Sequence, residues 1–126
     1  MFLAAGTFFD LGPYSQRFKR QGERIVYSMD NLKKLPKLAK NAPEATKAFW
    51  AYDKAALADG TVPKKYKELM AVAVALTTQC VYCIEIHRKS ALEAGATEAE
   101  LTETIHVAAA LRAGAAITHG THLLEP

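Results

Sequence analysis

Proline and glycine cut this 126-residue chain into stretches whose apolar side chains recur at helical spacing, and no sustained alternating run lies among them. Pro13 precedes Tyr14, Phe18, Ile25 and Met29, spaced by four, seven and four, which predicts a helix over residues 14–29 despite Gly22 in its middle. Residues 31–40 mix Leu32, Leu35 and Leu38 with four lysines around Pro36, and read as a short helical turn or loop with a solvated basic face. Pro43 suits the first turn of a helix carrying Phe49, Tyr52, Ala55 and Ala56, which Asp59-Gly60 stops. Pro63 opens the next helix, through Glu68 into residues 71–76, which are apolar all round and therefore expected at the centre of the fold. Thr77, Thr78 and Gln79 are expected to fray it. A helix over residues 83–94 ends at Gly95, the usual residue just past a helix terminus. Thr97 with Glu100 three residues later has the capping-box pattern and starts a last long helix through Leu101, Ile105, Ala108 and Leu111. Beyond Gly114, residues 115–124 either continue that helix or dock elsewhere.

The expected fold class is all-α. Twenty-three alanines support it, because small, helix-favouring side chains let helices pack closely. The length predicts a single domain over residues 1–126 that buries about two-thirds of its unfolded surface without staples. A net charge of +3, spread along the chain, gives no footprint for nucleic acid. No apolar run approaches the ~20 residues of a membrane helix. The apolar opening, residues 1–9, has no basic residue before it and makes a poor signal peptide, so a cytoplasmic protein is expected. Two cysteines are too few for a secreted disulfide framework.

Those two cysteines carry the chemistry. Cys80-Val81-Tyr82-Cys83 places two thiols where a loop becomes a helix, and such a pair can close a small reversible disulfide. Free amide groups and the positive end of the helix dipole favour a thiolate there, and the thiolate is the nucleophile towards peroxide oxygen or disulfide sulfur. His87, four residues after Cys83, shares its helix face. Imidazole titrates near neutrality and can accept the Cys83 proton. Glu68 lies roughly 15 Å before the turn near Thr78 and His87 roughly 10 Å after it, at about 1.5 Å per residue. An antiparallel reversal brings their heights together, and a carboxylate so placed would fix the histidine tautomer. The expected relay runs from Glu68 to His87 to Cys83.

Glu68, eleven intervening residues, the Cys80–Cys83 pair, three residues and His87 resemble the signature of the AhpD-like alkylhydroperoxidases of the carboxymuconolactone decarboxylase superfamily. The resemblance covers residues 45–116 as a core, leaving residues 1–41 as an N-terminal extension. It implies the AhpD-like helical fold, with a central antiparallel helical hairpin carrying the cysteines, and a homotrimer or homohexamer. It implies thiol-dependent reduction of organic hydroperoxides or hydrogen peroxide with no cofactor, regenerated by an external dithiol or protein reductant. Cys83 would become the sulfenic acid, and Cys80 would donate a proton and then resolve it. The prototype carries a histidine just before its second cysteine, where this chain has Tyr82. Decarboxylating members lack the cysteine pair, which disfavours lactone decarboxylation.

Other readings stand beside this one. The dithiol could serve a disulfide oxidoreductase or adaptor that reduces a partner protein, or a redox-sensing or metal-binding module without catalysis. Zinc wants four ligands, and only His119 and His122 could complete a set, at a spacing shorter than usual. A structural bridge over so small a loop removes little entropy from the unfolded chain. Tyr82, between the cysteines, could bind substrate or simply pack. His106, beside the core-facing Ile105, reads as structural but could line the pocket. Phe49, Trp50 and Tyr52 form an aromatic cluster expected in the core or an interface.

Overall fold

The computed structural model describes residues 27–126, which form five α-helices with a 3₁₀ turn at each end of the series and no strand. The helix expected over residues 14–29 lies outside the described residues except for its last three, and so do the opening residues 1–9.

Residues 31–40 divide into two short elements. A 3₁₀ turn, Met29–Lys34, runs into α1, Leu35–Asn41, with Pro36 in its first turn, where a missing backbone N–H costs nothing. Pro36 thus acts as a helix start signal. Pro43 likewise opens α2, Pro43–Leu57. Asp59 then does more than stop that helix: its carboxylate accepts the Lys64 backbone N–H at 2.7 Å and so caps α3, Lys64–Thr78.

The end of α3 corrects one expectation. Thr77, Thr78 and Gln79 do not fray. Gln79 turns left-handed at φ 58°, and the N–H groups of Gln79 and Cys80 both reach the Ala75 carbonyl. This closed turn satisfies carbonyls that a frayed end would leave to water. It also delivers Cys80 directly to the N-terminus of α4, Val81–Glu93, which begins two residues earlier than the sequence suggested. Gly95, at φ 87°, ends α4 in the same left-handed manner, with the Ala96 N–H on the Ala91 carbonyl at 2.9 Å. Thr97 and Glu100 form the complete capping box of α5, Glu98–Gly120, which continues through Gly114 for about 35 Å.

With a two-residue link between them, α3 and α4 fold back antiparallel, and α3 also lies against α2 and α5. The run at residues 71–76 is thus central in topology. It is not buried all round: Val72 and Ala75 are enclosed, whereas Met70 and Val74 are exposed on the other face. The rest of the core is small: Ala91 on α4, Ala96 in the link after it and Ala108 on α5. Phe49, Trp50 and Tyr52 stand exposed, so within one chain they are not core, and Ile105 is half-exposed rather than core-facing.

Candidate functional site

Cys80 caps α4 with sulfur: its Sγ accepts the Cys83 backbone N–H at 3.3 Å. The two cysteines are joined in a disulfide with their Cα atoms 5.3 Å apart. Both are half-buried. The same helix end that orients the pair would favour a thiolate once the bond is reduced, through its unpaired amide donors and its dipole.

One turn further along α4, the His87 Nδ1 lies 2.8 Å from the Glu68 carboxylate on α3. Glu68 is only 3% exposed, and His87 about one-fifth. An ionised carboxylate only accepts, so Nδ1 carries the proton and Nε2 is left as the acceptor. Glu68 is the only buried charged residue among those described. A buried carboxylate requires a partner, and His87 supplies it.

Cys83 and His87 form part of the wall of an open-sided cleft of about 590 Å³ between α2, α3 and α4. The remaining wall is mostly apolar, including Tyr52, Leu57, Met70 and Val74. The cleft gives a small molecule a route to the Cys83 sulfur and the imidazole together. Its composition fits a ligand site, with apolar walls and a few convergent polar groups.

The other sequence candidates fall elsewhere. Tyr82 does not line this cleft; its hydroxyl accepts a 2.9 Å hydrogen bond from the Asn31 amide, and its ring lies 6.3 Å from that of Tyr27. His106 is exposed on α5 and does not line the cleft. The rings of His119 and His122 lie 6.3 Å apart at the end of α5. Among the described residues, no three His, Cys, Asp or Glu side chains gather as metal ligands. No helix among them is long and apolar enough to cross a membrane.

Two residues at or beside the site escaped the sequence reading. Lys67 lines the cleft. Its spacing of four, seven and eleven residues from Ala71, Val74 and Thr78 puts all four on one helix face, a signal available in advance. Asn31 holds Tyr82 from 51 residues away, and no local pattern marks such a partner.

Comparison with known proteins gives a consistent set of likenesses. A model of the carboxymuconolactone decarboxylase family matches residues 43–126. The protein "Uncharacterized protein 4 in cox locus" of Paracoccus denitrificans is 51% identical over 77 residues, 61% of this chain and 69% of that protein. The crystal structure of a carboxymuconolactone decarboxylase family protein from Legionella pneumophila superposes with a TM-score of 0.62 at 38% identity, covering 65% of this chain and 73% of that one. A crystal structure from Methanobacterium thermoautotrophicum gives a TM-score of 0.66 at 33% identity, covering 70% of this chain and 99% of that one.

Proposed function

Because this chain belongs to the carboxymuconolactone decarboxylase family and has an AhpD-like helical fold, we propose that it is a thiol-dependent peroxidase that reduces hydroperoxides with its own dithiol. The observation that carries this reading is the Glu68–His87 hydrogen bond, with His87 sharing the cleft wall with Cys83 of a paired CxxC. A structural disulfide has no need of a buried carboxylate aligning an imidazole beside it.

In the reduced protein, His87 Nε2 accepts the Cys83 proton, and the Glu68 carboxylate stabilises the resulting imidazolium. The Cys83 thiolate attacks the terminal peroxide oxygen; the O–O bond breaks, and Cys83 becomes a sulfenic acid. The departing alkoxide takes the Cys80 proton and leaves as the alcohol. The Cys80 thiolate then attacks the Cys83 sulfur, and the expelled hydroxide takes the proton held by His87 and leaves as water. Two thiols and one hydroperoxide have become one disulfide, one alcohol and one water. An external dithiol or protein reductant restores the pair by thiol–disulfide exchange. A cytoplasmic setting belongs to the same reading, because the cycle needs a steady supply of reducing dithiol. So does a homotrimer or homohexamer, which the bare apolar faces of α2 and α5 support.

The test is to count free thiols in the reduced protein before and after one equivalent of hydroperoxide. Loss of two thiols, restored by dithiothreitol, is expected. Thiols that survive peroxide but are consumed by an oxidised partner protein would replace the peroxidase with the disulfide oxidoreductase.

A further inference from the structure

Three lysines open α3, and they meet different fates. The Lys64 backbone N–H donates to Asp59, while its ammonium is in no ion pair among the described residues and does not line the cleft. The Lys65 ammonium is neutralised by Glu100 at 2.7 Å. Lys67 lines the cleft, and its Nζ donates to the Ala58 carbonyl at 2.6 Å, which holds the ammonium at the cleft's edge beside the end of α2. One donor of three is used there. No ion pair among the described residues holds Lys67, and no carboxylate lines the cleft, since Glu68 is turned inward onto His87. The cleft therefore combines apolar walls with one uncompensated cation.

Lys67 and Cys83 do not sit at the same level. Lys67 lies eleven residues before Thr78 and Cys83 five residues after it, so in an antiparallel hairpin they are offset by about six residues, on the order of 9 Å along the helix axis. From these observations we infer that the cleft selects hydroperoxides bearing a carboxylate several methylenes from the peroxide group, with the carboxylate on Lys67, the chain along the apolar wall and the peroxide at Cys83. The inference rests on the peroxidase reading and names its substrate class. Each buried methylene multiplies affinity about fourfold, a gain hydrogen peroxide cannot draw on. The ammonium can donate to either, but only the carboxylate meets it as an ion pair, a stronger interaction than its hydrogen bond to a neutral ester carbonyl.

The test compares a long-chain fatty-acid hydroperoxide with its methyl ester on the reduced wild-type protein, reading disulfide formation. In parallel, calorimetry measures binding of the corresponding fatty acid and its methyl ester, neither carrying a peroxide group. The acid should be favoured over the ester about tenfold in both assays. That ratio should fall to about one in Lys67→Gln and survive in Lys67→Arg. Equal use of acid and ester by the wild type, which needs no variant, overturns the inference while leaving the peroxidase intact. A preference that persists in Lys67→Gln overturns the assignment to Lys67. Lys67-dependent binding of the fatty acid, with no hydroperoxide consuming thiols, would uphold the anion site and remove the peroxidase reading instead.

Discussion

The α3–α4 hairpin holds four alanines in its 30 residues and α5 seven in 23, yet the hairpin encloses more of itself. The hairpin encloses Val72, Ala75, Ala91 and the Glu68 carboxylate, and Glu68, Cys80, Cys83 and His87 all come from its two helices and their turn, with α2 adding a wall of the cleft. Over its 23 residues α5 buries only Ala108, and it leaves Leu111 66% and Ile117 74% exposed. The hairpin brings Glu68 and His87 together within a single chain although it leaves Met70 and Val74 exposed; α5 is mostly exposed and presents an apolar surface of the kind that associates. If the proposed relay and assembly hold, they rest on different faces of the molecule, and substitutions can address each in turn.

The largest effect is expected at the sulfurs. Cys83→Ser should abolish turnover, whereas Cys80→Ser should leave a sulfenic acid on Cys83 that can be trapped and located by mass spectrometry. Finding the label on Cys80 in the converse variant would reverse the two roles. Next comes the relay. His87→Ala should slow peroxide-driven thiol loss by about 10²–10⁴-fold and move the pH profile of Cys83 alkylation upward. An unchanged profile would remove the relay. Glu68→Gln, which still accepts from Nδ1–H but carries no charge, should slow the reaction less.

Stability sharpens the comparison further. Ala91 is fully enclosed, so Ala91→Leu should destabilise the fold by about 1–3 kcal/mol, measurable by urea unfolding. The pair Leu111→Ser and Ile117→Ser should each cost no more than about 0.5 kcal/mol within the chain. Together they should lower the mass seen in analytical ultracentrifugation. An undiminished mass would mean that α5 is not the associating face.

The smallest effect is expected at the tie between the two regions. The Lys65 ammonium hydrogen-bonded to Glu100, with help from the Thr97 backbone N–H, holds the Glu100 carboxyl below the ordinary carboxylate range. Glu100 in turn raises Lys65. A carboxyl lowered on folding adds stability above its unfolded pKa, and that stability is lost as pH falls through the folded value. Glu100→Gln keeps the capping-box geometry but removes the charge. Its unfolding curve should therefore lack this one acid-side segment, and the loss should be slight because both side chains are about one-third exposed.

Much of the site was legible because it is local. Cys80, Cys83 and His87 lie within eight residues on one helix start, and Glu68 follows from a single reversal whose length can be counted. The helix boundaries were legible where a side chain signals them: Pro43, Gly95, and Thr97 with Glu100. Gln79 carried no such signal, since a left-handed turn at a non-glycine residue is set by the hydrogen bonds that close it. Lys67 could have been found from helix spacing, but its meaning depends on which neighbours carry carboxylates.

What the amino-acid order determined alone is the set of helices and the pairing of sulfur, imidazole and carboxylate, because helix periodicity and a two-residue link leave those groups little freedom. Tertiary structure decided which apolar faces were enclosed, that the lysine on the cleft wall has no counter-charge, and that Tyr82 turned to Asn31 instead of the cleft. Those outcomes depend on how helices distant in sequence lie against one another, and close approach at alanine settles that only when the whole chain is packed.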